Sequence, residues 1–321
     1  LILLEDVPIF NSSHAFGLIS AVNSYSVSSI SLLKAGIPSK YGERASSVMD
    51  IKFENNAVKT SVKGGIGIMD SRLNLELPLF NNRVSLFVGG RSSYSNWLLH
   101  AMPDINLKNS NAGFYDLNTM LKIKISSKDN ISIFGYYSND NFSFTKNSPY
   151  NYDNIIASVK YSHIFNDKLY SSLLLGLSNY RNSITTSDSL KPKEAYIFNS
   201  SINYKTLKLN FNWNLNKNHS LEFGINAINY NLQQGSIKPF GDLSNITSFN
   251  TTPQNGLELS AYISDNIILS PKLTTEIGLR YTSFLRLGIG QTYVFAENLP
   301  TTANNIIDTL HFAKNEKMNI Y

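Results

Sequence analysis

Apolar and polar residues alternate with period two along most of this chain, and that pattern excludes a helical fold. Leu207, Leu209, Phe211, Trp213 and Leu215 interleave with Lys208, Asn210, Asn212 and Asn214, and Leu221, Phe223, Ile225 and Ala227 with Glu222, Gly224 and Asn226. A helix would scatter these side chains over all its faces, whereas a strand sends them to opposite sides. The pattern predicts about eleven strands, near 58–69, 71–80, 83–93, 114–126, 130–140, 152–166, 168–183, 195–217, 219–233, 257–269 and 272–287. Short turns are expected at Asn81-Asn82, Lys128-Asp129, Asn166-Asp167, Lys217-Asn218 and Pro271. Long polar loops are expected near 94–113, 141–151, 184–194, 234–256 and 288–316. Short and long connections alternate, as in a transmembrane β-barrel with tight turns on one side of the membrane and loops on the other. Strands of ~9–11 residues cross a bilayer core. Tyr136, Tyr137, Tyr161, Phe165, Tyr180, Tyr230, Tyr281 and Phe284 stand near strand ends, where an aromatic girdle is expected. The competing reading is ordinary cross-strand packing in a soluble β protein.

Composition agrees. Only 16% of the 321 residues are charged, while 40 are asparagine and 36 are tyrosine or phenylalanine, a vocabulary of strands and polar loops. No stretch approaches the ~20 apolar residues of a membrane-spanning helix. The absence of cysteine removes disulfide scaffolds, cysteine-ligated metals and thiol nucleophiles. The net charge of +5 is scattered, without the runs that bind nucleic acid. Gly64-Gly65-Ile66-Gly67 lacks the strand–loop–helix setting of a phosphate loop, and nothing resembles a nucleophile elbow. The expectation is therefore no enzyme, no cofactor and no metal site.

Residues 1–56 depart from the alternation. Short strands at Ile2–Glu5, Ser28–Lys34 and Ser47–Phe53 are separated by turn chemistry, with one or two helical turns expected over Ala15–Val22. The blocks Leu3-Leu4-Glu5-Asp6-Val7-Pro8-Ile9-Phe10-Asn11, Ser13-His14-Ala15-Phe16-Gly17 and Ile30-Ser31-Leu32-Leu33-Lys34-Ala35-Gly36-Ile37-Pro38 resemble the end of the plug domain of TonB-dependent outer-membrane receptors, in the form found in Bacteroidota. Tyr41-Gly42-Glu43-Arg44-Ala45-Ser46-Ser47-Val48-Met49-Asp50-Ile51 is similar to the signature that closes that plug, with Glu43 where the family often has a second glycine. Leu73–Leu79 and Arg91–Tyr94 resemble the family's opening barrel strands. The resemblance covers roughly residues 1–95 in motif detail.

It implies an all-β dominated fold: an antiparallel barrel of ~22 strands, about 11 of them here, preceded by a small α+β plug remnant. Residues 1–56 would then be the C-terminal part of the plug and 57–321 the N-terminal half of the barrel, with the TonB-contacting segment and the later strands outside this chain. The implied function is import of an extracellular nutrient across the outer membrane of a Gram-negative bacterium. The implied partners are TonB, outer-membrane lipids, a surface lipoprotein and an unidentified ligand. The alternatives are a passive porin or adhesin barrel, and a secreted soluble β protein that binds glycans.

Plug–wall contacts are expected from Glu43, Arg44, Asp50, Arg72 and Arg91. In a water-filled lumen such pairs are worth ~0–1 kcal/mol each, enough to seat a plug yet release it; independent solvated groups are the other reading. Ligand-facing loop residues are expected at Tyr94, Trp97, Phe240 and Asp242, whose rings and polar groups suit neutral polar ligands or loop packing. His14, after two serines, reads as a ligand-facing residue or as the anchor of a loop by hydrogen bonds.

Overall fold

The computed structural model of the chain describes residues 1–42, 46–53, 57–143, 148–187, 190–296 and 298–318. The N-terminal module contains β1 (Ile2–Leu4), β2 (Val7–Pro8), β3 (Ser13–His14), β4 (Ile19–Ser20), β5 (Val27–Leu33) and β6 (Val48–Phe53). Four of these make a sheet in the order β2-β1-β6-β5, with β1 parallel to β6, and β3 pairs with β4. The β1–β2 turn places Glu5 and Asp6 in the left-handed region, at φ 48° and 69°.

The eleven strands expected from the alternation form one continuous antiparallel wall. They are β7 (Ser61–Ile66), β8 (Asp70–Leu79), β9 (Val84–Ser93), β10 (Asn111–Lys124), β11 (Asp129–Ser143), β12 (Pro149–Asn166), β13 (Leu169–Thr186), β14 (Tyr196–Asn214) and β15 (His219–Pro239), then β17 (Gln254–Ser270) and β18 (Leu273–Leu287). Each pairs with its sequence neighbour, and the short β16 (Phe249–Asn250) adds to β15. The tight turns fall where the sequence places them. Asn166 Oδ1 accepts from the backbone N–H of Lys168 and Leu169, and Asn216 Oδ1 does the same for Asn218 and His219. Asn81 and Asn82 take the positive φ of the β8–β9 turn.

The other end differs from expectation in detail. Strands continue past the polar sequence, to Ser143, Thr186 and Pro239, so the loops at 141–151, 184–194 and 234–256 are shorter than predicted. Polar residues extend a strand when cross-strand amides pair, as Asn139 does with Asn151 at 2.9 Å. The 94–113 segment holds two short helices, α1 (Asn96–Ala101) and α2 (Ile105–Lys108), and the 288–316 segment a hairpin of β19 (Gly290–Phe295) and β20 (Ile306–Phe312). Ala15–Val22 gives a single 3-10 turn at Ala15–Gly17 before β4.

The two faces of the wall have inverted chemistry. One face exposes Leu117, Ile133, Val159, Leu173, Leu175, Leu207, Ile225, Ile263, Ile277 and Leu279. The other buries Asn74, Arg91, Asp116, Asn118, Ser138, Asp140, Asn154, Thr206, Glu258 and Ser260 against the N-terminal module. A soluble sandwich would bury the first set. Tyr136, Tyr180, Tyr230 and Phe284, expected in a girdle, fall on the inner face, because a one-residue offset reverses the side on which a strand residue points; Tyr136 donates to Ala21 O at 2.7 Å.

Module and wall share an apolar core in which Leu4, Val7, Ile9, Ile51 and Phe53 meet Phe87, Met120, Phe134, Ile156 and Leu174. Two wall glycines admit the module. A Cβ on Gly89 would lie 2.7 Å from Ser26 Oγ and 2.9 Å from Asn74 Oδ1, and one on Gly176 would lie 2.6 Å from a Val7 methyl.

Candidate functional site, the module–wall interface

Polar contacts tie the module to inward residues from one end of the wall to the other. Nearest the N-terminal edge, Asn23 Nδ2 on the module donates to Asn74 Oδ1 of β8 at 3.2 Å, and the Arg72 guanidinium lies over the Tyr25 ring, 5.0 Å from its centroid. At the far edge, Arg280 of β18 donates to Lys40 O at 3.1 Å and to Ser260 Oγ at 2.6 Å. Between them lie two ionic clusters.

The first is fully buried. His14 Nδ1 sits 2.6 Å from Asp140 Oδ2, its Nε2 is 3.4 Å from Asp116 Oδ2, and Ala15 N–H donates to Asp140 Oδ1 at 3.1 Å. Arg91 Nε donates to Asp116 Oδ2 at 2.7 Å, while its Nη2 reaches Ser20 O, also at 2.7 Å. The His14 ring stacks on Phe114 with 4.3 Å between centroids. Two cations therefore face two carboxylates, so the cluster is electrically balanced when His14 is protonated. Burial alone would lower the His14 pKa, but the hydrogen bonds and charges of Asp116 and Asp140 overcome it and hold it above the ordinary value.

A raised folded-state pKa makes the His14 contribution complete below the ordinary imidazole value of ~6.5 and progressively lost as pH rises through the raised value. Unfolding measured across pH 5 to 9 is expected to show this loss on the alkaline side, and His14→Gln to remove it. An identical pH profile in the variant would refute the assignment.

The second cluster surrounds the β1–β2 turn. Asp6 Oδ1 is 2.8 Å from Lys52 Nζ, Asp6 Oδ2 is 2.8 Å from Lys160 Nζ, and Lys208 Nζ donates to Asp6 O at 2.8 Å. Burial works to raise the Asp6 pKa, but Lys160 and Lys52 hold it well below the carboxylate range. Lys52 rises in turn: burial opposes the charge, and Asp6, Asp50 and Glu5 outweigh it. Glu5 Oε1 accepts from Phe53 N–H at 2.7 Å, and its carboxyl is pushed up chiefly by burial.

The structure distributes the sequence-predicted residues as follows. Arg91 reaches the module by a hydrogen bond to the Ser20 carbonyl, while its ion pair is made within the wall, to Asp116, and is desolvated rather than solvated as expected. Asp50 meets Lys52 of its own strand, 3.2 Å away, and not the wall. Arg72 pairs with Asp70 at 2.9 Å besides facing Tyr25. Glu43 and Arg44 lie outside the described residues. His14 has no exposed surface: its loop folds in against β10 and β11, where Asp140 and Asp116 meet its ring. Tyr94 donates to Asp70 O at 3.1 Å, and Trp97 Nε1 to Ile68 O at 3.3 Å, both close to the β7–β8 turn. Phe240 and Asp242 are exposed on the β15–β17 connection, with four strands between that site and the β9–β10 connection. Sequence reasoning missed Asp116, Asp140, Asp6, Lys160, Lys208 and Arg280. Their signal was the inward phase of the alternation, on which all the wall members fall. Among the described residues, no three histidine or acidic side chains are grouped to hold a metal ion.

No family model and no curated protein matches this sequence. Solved structures do match. A mutant of the ferric enterobactin receptor of Pseudomonas aeruginosa aligns at TM-score 0.63 and 15% identity over 89% of this chain and 51% of that one. FpvA of P. aeruginosa, solved with heterologous pyoverdines, aligns at 0.68 and 11%, over 98% and 47%. The ferric-catecholate import receptor of E. coli K12 aligns at 0.64 and 10%, over 98% and 57%. The chain thus spans about half the length of these receptors. At such identities the likeness is one of fold: a predominantly antiparallel barrel wall of the kind these receptors use.

Proposed function

We propose that this chain is the end of the plug (1–56) and the first half of the barrel (57–321) of an integral outer-membrane receptor that imports an extracellular nutrient by TonB-driven movement of the plug. The observation that carries this reading is the inverted wall, apolar outside and polar inside, with the N-terminal module seated on its inner face from β8 to β18. A barrel facing lipid must satisfy its backbone within the sheet and present apolar side chains outward. A passive pore has no use for an occluding module held by ion pairs, whereas an energised transporter needs one that is held and can be moved. The matched receptors handle ferric siderophores, which makes iron complexes the first nutrients to test; the long connections, with Tyr94, Trp97, Phe240 and Asp242, are the proposed ligand-facing surface. TonB, outer-membrane lipids and a surface lipoprotein are the proposed partners.

The test uses Asn23→Cys and Asn74→Cys, whose side chains are in direct contact and whose thiols are closed by an oxidant into a disulfide that fixes the module to the wall. Uptake of the nutrient lost on deleting the gene is expected to stop after bridging, and to stop equally when TonB is deleted. Uptake that survives both treatments identifies a passive pore.

A further inference from the structure

Towards the end of the wall that carries the long connections, the outward face changes chemistry. Leu175, Leu207 and Leu259 belong to one outward row across β13, β14 and β17 and are 54%, 43% and 44% exposed. Four residues further along β13 the same face carries Asn179, opposite Asn203, Asn231 and Asn255 on the next three strands. Their amides form a chain: Asn179 donates to Asn203, Asn203 to Asn231 at 3.2 Å, and Asn231 to Asn255 at 2.6 Å. One row beyond, Arg181 Nε donates to both oxygens of Asp153, at 2.9 and 3.0 Å. Next to this pair lies a groove of about 360 Å³, lined among others by Asn151, Asp153, Arg181, Asn199, Ser201 and Gln233. Every lining residue is polar.

We propose that this groove holds the saccharide headgroup of a glycolipid in the outer leaflet of the membrane. Its depth is the first argument: four residues rise ~13 Å along a strand, or ~10 Å along the membrane normal at a tilt of ~40°, which carries the groove from the leucine row towards the headgroups. Its chemistry is the second. Amides and hydroxyls both donate and accept, as sugar hydroxyls do, and Arg181, already paired with Asp153, offers no free cation to a phosphate, so the groove suits the sugar rings of a headgroup rather than its phosphates. The amide chain is the third, since it fixes the side chains before the ligand arrives and lowers the ordering cost of binding. The inference rests on reading the wall as membrane-spanning.

The probe is rough-type lipopolysaccharide added to the full-length protein in detergent, with retained lipid quantified after gel filtration. Ser201→Phe and Gln233→Leu, which fill the groove, are expected to weaken retention at least tenfold, while the inward variant Asn212→Ala retains lipid like the unmodified protein. Asn199→Ala, the gentler change, is expected to weaken it severalfold should the larger ones fail to fold. Equal retention by all variants, or equally tight binding of the deacylated saccharide, would overturn the proposal. Leu209→Cys in phospholipid vesicles reads the underlying assumption separately: protection from a water-soluble maleimide supports a membrane-facing wall, and rapid labelling overturns it.

Discussion

Asp116→Ala is expected to destabilise the protein by about 3–5 kcal/mol, the cost of leaving a buried charge without its partner. Arg91 loses the carboxylate that its Nε meets at 2.7 Å, and its side chain is only 5% exposed, so water cannot take over. His14 keeps Asp140 and loses the carboxylate charge that lies 3.4 Å from its Nε2. Asp116→Asn retains the shape but halves the negative charge of the cluster, and should fall between the two. Denaturant unfolding reads both variants. Removing both charges, as Arg91→Met with Asp116→Leu, should cost less than Asp116→Ala alone, since no uncompensated ion remains. A loss below ~1 kcal/mol for Asp116→Ala would mean that the cluster is solvated and that the module is seated by its apolar contacts.

The second large effect belongs to the outer face. Leu209→Arg or Ile277→Arg should cost about 2–4 kcal/mol in a bilayer, because a charge then faces hydrocarbon. Asn212→Arg, three residues along β14 from Leu209, of opposite phase and lining the inner cavity beside Lys208 and Glu222, should cost little. Folding titrations into lipid vesicles measure all three. Equal tolerance on both faces would show that the alternation has been assigned to the wrong sides.

Much of this architecture was legible in the residues. The period of two placed all eleven wall strands, because a half-polar strand carries its own face assignment and needs no partner to be recognised. The turns at Asn81-Asn82 and Asn166-Asp167 announced themselves through side chains that tolerate or cap a reversal. Strand ends were less legible: asparagine disfavours strands as an isolated residue, yet Asn179, Asn203, Asn231 and Asn255 become strand residues once each amide has a cross-strand partner. The interface was the least legible. Arg91 stood out by its motif, whereas Asp116 and Asp140 lie 24 residues apart on neighbouring strands and meet His14 only when the module docks, a convergence that no local spacing encodes. The desolvation of that cluster followed the same logic, since a sequence shows the charges but not the Phe114 ring and the Ser20 carbonyl that exclude water from them.

On the proposed reading, one face of β14 meets lipid while the other meets the lumen and the module. Single cysteines at positions 205 to 213, reconstituted in vesicles containing a lipid-borne quencher and labelled in turn with a small fluorophore, test it most directly. The account predicts strong quenching at Leu207→Cys, Leu209→Cys and Phe211→Cys and none at Thr206→Cys, Lys208→Cys and Asn210→Cys. Quenching without a period of two, or strongest at 206, 208 and 210, would contradict it.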